Sequence, residues 1–150
     1  MTALAPRRSA VDDLDSAPTA RIVRVARRLR HALDAPLSAH GLTSVQFGLL
    51  NRLAHADGLV QADLGRRLAI EPATLTGIVQ RLEREGWVHR SCDPANRRLQ
   101  RVWLTEKARA ALPALRQVQT RHRHRALAGL DAEDLVRLGT LLEQIEANLH

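Results

Sequence analysis

Aromatic residues are almost missing from this 150-residue chain: Phe47, Trp87 and Trp103 are the whole set, and there is no tyrosine. A core must therefore be assembled from Leu, Val, Ile and Ala, side chains that suit packed helices. One cysteine, Cys92, excludes an intrachain disulfide and any metal site made of cysteines alone. No apolar run approaches the roughly 18 residues that a bilayer span requires. Arg7 and Arg8 are not followed by the apolar stretch of a signal peptide, so the cytoplasm is the expected location. Lysine is nearly absent as well, with Lys107 standing alone against 22 arginines. There is no Gly-rich phosphate loop, no Gly-x-Ser-x-Gly, and no metal-ligand spacing among the seven histidines. His122 and His124, two apart, would point to different sides of a helix. Catalysis, a cofactor and a bound metal are all unexpected.

An apolar fraction of 45% is normal for a folded chain, and the length fits one domain. The net charge of +7 is unevenly spread. Ten cations fall between Arg90 and Arg125 against only Asp93 and Glu106, whereas Asp131–Glu146 holds five acids and one arginine. A concentrated positive field is what a polyanion-binding face needs, although an arginine-rich solvated helix would look the same.

Residues 1–15 mix Ala, Pro, Ser, Arg and Asp without a period and read as a flexible arm. From Pro18, the positions Ile22, Ala26, Leu29, Leu33 and Leu37 form one helical stripe that Gly41 ends. Thr43 or Ser44 can cap a second helix carrying Val45, Leu49, Leu50 and Leu53. After the Asp57-Gly58 turn comes a short helix near Gln61–Ala69, then Pro72 at the expected first position of a fourth, with Leu75, Ile78, Val79 and Leu82 inward. The period then switches from helical to alternating. Trp87–Arg90 and Leu99–Leu104 read as two strands around the turn Asp93-Pro94-Ala95-Asn96. Thr105 caps a long helix with Leu112, Leu115 and Val118 on one side, which Pro113 should kink or limit. A last helix repeats Leu135, Leu138, Leu142, Ile145 and Leu149. Four helices, a hairpin and two more helices give a mainly α chain with a small β-hairpin wing, the organisation of a winged helix-turn-helix.

If the apolar positions of the fourth helix face the core, Thr74, Thr76, Gly77, Gln80, Arg81 and Arg84 fall on its outer side. Thr74 and Thr76 can bond base edges or touch a thymine methyl, and Gln80 can bond an adenine. Gly77 permits close approach of the backbone, and Arg84 suits a phosphate. Any solvated helix carries such residues, so the signal is weak alone. The hairpin tip adds Asn96, Arg97 and Arg98, where arginines can reach a minor groove. Asp93 at the hairpin base can pair with Arg97, Arg98 or Arg81 and fix the direction of the wing. Double-stranded DNA is the expected partner.

The ordered series Gly41-Leu42-Thr43-Ser44-Val45-Gln46-Phe47, Ala62-Asp63-Leu64, Leu82-Glu83-Arg84-Glu85-Gly86-Trp87, Asp93–Arg98 and Leu104-Thr105-Glu106-Lys107 resembles the MarR family of bacterial regulators over more than two thirds of the chain. The resemblance implies a homodimer whose helices in 16–40 and 106–150 interlock, around a winged helix-turn-helix in 41–105. It implies a pseudo-palindromic operator, with Arg98 as the minor-groove arginine of the wing, and ligand-responsive repression by a small aromatic or anionic effector. Arg24, Arg27 or Arg28 could hold such an anion, though no pattern identifies one. Asn96 departs from the family's usual Asp, Ala108 from its Gly, Val60 from a capping Thr or Ser, and Ala73 from a frequent Ser. An architectural DNA-coating protein with little sequence preference is the alternative. Cys92, near cations at the hairpin base, is an incidental or an oxidisable thiol.

Overall fold

A computed structural model describes residues 17–149; the arm expected over residues 1–15 lies outside them. The chain runs α1 (Pro18–Ser38), α2 (Ser44–His55), β1 (Leu59–Val60), α3 (Gln61–Leu68), α4 (Pro72–Arg84), β2 (Val88–Cys92), β3 (Gln100–Leu104), α5 (Glu106–Ala126) and α6 (Ala132–Ala147). The three strands form an antiparallel sheet in the order β1-β3-β2, with Leu59 opposite Val102 and Val88 opposite Leu104. The hairpin expected from the alternating period is therefore joined by a third, two-residue strand, too short to leave a period of its own.

Helix boundaries follow local chemistry. Thr43 opens α2 with a reciprocal cap: the Gln46 N–H donates to Thr43 Oγ1 at 3.3 Å, and the Thr43 N–H donates to Gln46 Oε1 at 2.9 Å. That exchange gives the side-chain oxygen of the buried Gln46 a partner. Asp131 and Asp134 make the same arrangement at the start of α6. Pro72 occupies the first turn of α4, as expected. Pro113 interrupts nothing: α5 continues from Glu106 to Ala126. A proline removes a single i→i−4 bond, and Leu112 and Leu115 on either side are buried and hold the helix to the core.

The core is leucine-rich, as the shortage of aromatics demands. Leu37, Leu49, Leu50, Leu53, Leu64, Leu75, Val79, Leu82, Val102, Leu104 and Leu115 form one cluster with Phe47. Gly65 permits α3 and α4 to approach closely, since a Cβ there would lie 3.0 Å from Leu75 Cδ2. Ala69, between these two helices, takes a left-handed conformation (φ 51°) that closes the turn. The stripe on α1 divides: Leu33 and Leu37 are buried and Ile22 is half-buried, whereas Ala26 and Leu29 are exposed, as are Val23 and Val25 outside it. Helix α6 buries nothing at all, although Leu135, Leu138, Leu142 and Ile145 share one side of it.

Candidate DNA interface

Helix α4 turns Leu75, Val79 and Leu82 into the core and holds Ile78 half-buried, which leaves Thr74, Gly77, Gln80, Arg81 and Arg84 exposed. Thr76 departs from the expected pattern. Its hydroxyl donates to the Pro72 carbonyl at 2.9 Å and accepts from Gln61 Nε2 at 3.1 Å, so it is occupied in holding α3 to α4. Arg81 is paired along its own helix with Glu85 at 2.9 Å. Glu83 leaves α4 in the other direction and takes the Arg90 guanidinium of β2 at 2.9 and 2.6 Å, along with the Arg90 N–H at 3.1 Å. This fork fixes the hairpin to the helix beside it.

The hairpin is tied at its far end by Asp93, which is only 4% exposed. Asp93 Oδ1 accepts from the Ala95 and Asn96 N–H groups at 2.8 and 3.0 Å, and Oδ2 accepts from Arg101 Nε. The partner is thus Arg101, and the expected pairing with Arg97, Arg98 or Arg81 is not made. Those three lie beyond the turn or on α4, while Arg101 stands on β3 opposite Ser91. Asn96 continues the turn by accepting the Arg98 N–H at 3.1 Å. Arg97 and Arg98 project from the tip, exposed and without an ion pair among the described residues. Cys92 ends β2 in the open, with Gln100 Nε2 at 3.4 Å from its sulfur.

Both carboxylates that anchor the wing are held below their ordinary pKa values. The Arg90 hydrogen bond is the main cause for Glu83, and the Arg101 hydrogen bond for Asp93, which the Ala95 amide reinforces. Groups depressed in the folded chain contribute stability that is complete above their unfolded values, about 4.3 for Glu and 3.9 for Asp, and that fades as pH falls through the lower folded values. Urea midpoints should therefore stay level from neutral pH to about pH 5 and decline below about pH 4. The E83Q/D93N double variant should show a shallower decline; an identical slope would contradict the assignment.

Two elements with exposed polar faces, a helix of a tight helix-turn-helix and a hairpin with a cationic tip, define a winged helix-turn-helix DNA-binding protein. The comparisons with known proteins agree. The MarR family model matches residues 42–99. A Pseudomonas aeruginosa protein assigned to transcriptional regulation is 32% identical, with 90% of this chain and 98% of that one covered and a TM-score of 0.79. A MarR transcriptional regulator from Methanosarcina mazei is 27% identical, with 87% and 95% covered and a TM-score of 0.79. BpsR from Bordetella bronchiseptica, whose DNA binding is regulated by 6-hydroxynicotinic acid, shares the fold at 24% identity, with 89% and 95% covered and a TM-score of 0.81. This chain belongs to the MarR family of transcriptional regulators.

Residues that sequence reasoning missed are those whose partners lie far along the chain. Arg101 and Gln61 carry no local signature, and Asp57 shows only that of a turn. Asp57 accepts from the Leu104 N–H at 3.0 Å across 47 residues and pairs with Arg109 on α5.

Proposed function

We propose that this chain is a ligand-responsive repressor that binds a pseudo-palindromic operator as a homodimer. Its winged helix-turn-helix spans residues 41–105, and the helices of 16–40 and 106–150 form the dimer. Helix α4 enters the major groove with Thr74, Gln80 and the Gly77 backbone against base edges and Arg84 on a phosphate. The observation that carries the reading is the sorting of arginines. Arg81, Arg90 and Arg101 are engaged by carboxylates, and Arg97 and Arg98 at the wing tip are not. Two exposed guanidiniums on a braced turn suit the negative potential of a minor groove.

Dimerisation is supported by the apolar side of α6 and the exposed valines of α1, which need a partner to be covered. Ligand response is supported by a cavity of about 750 Å³ between α1 and the start of α2. Arg27, Arg28, Arg30 and His31 stand on its wall beside Val45 and outnumber its one carboxylate, Asp34, so the lining suits an aromatic acid of the kind that regulates BpsR.

Selection of bound sequences from random duplex DNA at physiological salt tests this directly. An inverted repeat with half-sites about 10 base pairs apart is the expected result. The internal bonding of Thr76 reduces the base-reading set and favours a second reading, an architectural coat, which would show binding without enrichment and a steep salt dependence. Arg98→Ala should weaken binding to a selected duplex by about 1–3 kcal/mol. Unchanged affinity at moderate salt would remove Arg98 from the interface.

A further inference from the structure

We propose that Arg101 is the positioning residue of the wing: it contacts no DNA, and sets where Arg97 and Arg98 stand by clamping the wing turn to the α2–β1 turn. The inference rests on the minor-groove reading of the wing given above.

The sheet alone holds the hairpin weakly. Its support on the free side of β3 is β1, only two residues long. Val102 and Leu104 point into the core, so Arg101 and Trp103 fall on the opposite face of β3, away from the packing that anchors the strand. Both are turned to the same purpose. Arg101 Nε meets the buried Asp93, and Nη1 donates to the Gly58 carbonyl at 2.7 Å. One planar guanidinium thereby joins two turns 35 positions or more apart in the chain, a geometry its fork permits and a lysine's point charge does not. Trp103 lies over Gly58 and donates from Nε1 to Ser91 Oγ at 2.9 Å.

The receiving turn is itself fixed. Asp57 Oδ1 accepts from the Gly58 N–H at 3.1 Å and the Leu104 N–H at 3.0 Å, and its second oxygen pairs with Arg109 of α5. Arg101 thus connects a rigid site to the carboxylate that shapes the wing turn. A wing ordered before it meets DNA does not lose that conformational freedom on binding, so the clamp raises affinity through Arg97 and Arg98 without adding a contact.

A double-mutant cycle on a duplex taken from the selected pool tests the proposal. R101A is expected to weaken binding about tenfold in the parent chain and less than about twofold in an R97A/R98A background, because the residues it positions are then gone. R98A should lower the slope of log affinity against log salt, and R101A should leave that slope unchanged. R101K, which keeps the charge and lacks the fork, should lose most of the affinity that R101A loses and supplies the cycle if R101A does not fold. Amide exchange at Ala95 and Asn96 should quicken in either variant. Equal losses in both backgrounds, or a reduced salt slope for R101A or R101K, would make Arg101 an independent DNA contact and overturn the clamp. Full affinity in R101A and R101K beside a weakened R98A would overturn it as well. A silent R98A would instead sink the wing reading, and the clamp's role in binding with it.

Discussion

Leu138→Asp is expected to leave a folded monomer that binds DNA on the order of 100-fold more weakly than the parent chain, because two half-sites can no longer be held at once. Leu135, Leu138, Leu142 and Ile145 line one side of α6 at three- and four-residue spacing, between 37% and 42% exposed. Helix α6 contributes no buried residue to its own chain, so a charge at Leu138 disturbs nothing in the winged core. In a dimer seam the same carboxylate would be buried without a cation, and that is strongly destabilising. Sedimentation gives the mass and Trp87, buried in the core, gives the state of the fold. A dimer of undiminished stability would place the seam elsewhere.

Gly58→Ala should be the most damaging of the glycine-to-alanine changes. Gly58 has φ +69°, and an added Cβ would lie 2.3–2.6 Å from the Trp103 ring. A left-handed alanine costs about 1–2 kcal/mol and forced overpacking about 1–3, so a loss of roughly 2–5 kcal/mol in unfolding free energy is expected. Urea denaturation measures it. Measured against Trp103→Ala alone, G58A should then cost only its backbone share. A G58A cost undiminished in the Trp103→Ala background would show that the clash is not the cause. The Arg101 clamp ends on the Gly58 carbonyl, so this substitution should also weaken DNA binding through the wing.

How much of this was legible in the sequence depended on distance along the chain. Thr43 before Val45, Pro72 at the head of α4, and Asp93-Pro94-Ala95-Asn96 between two alternating runs are short-range signals, and each sits where it was expected. The inward set Leu75, Val79 and Leu82 was readable from a 3.6-residue period. Strand β1 was not, because two residues cannot display an alternation. The partner of Asp93 was not either: proximity in sequence favoured Arg97 and Arg98, and the fold brought Arg101 across the hairpin instead. Thr76 sits near the edge between the two faces of α4, where periodicity alone does not decide whether a hydroxyl meets solvent or Gln61.

The near-absence of lysine also bears on control. Lys107 lies 4.5 Å from the centroid of the Trp87 ring, with its ammonium donating to the Glu85 carbonyl at 2.8 Å, so it acts as a brace at the end of α4. Every cation on the helix and wing faces described here is an arginine, protonated at any physiological pH and offering no primary amine for acylation. The charge presented to a duplex is consequently constant. In the proposed dimer, an effector would have to act on spacing instead: the separation and tilt of two permanently charged halves.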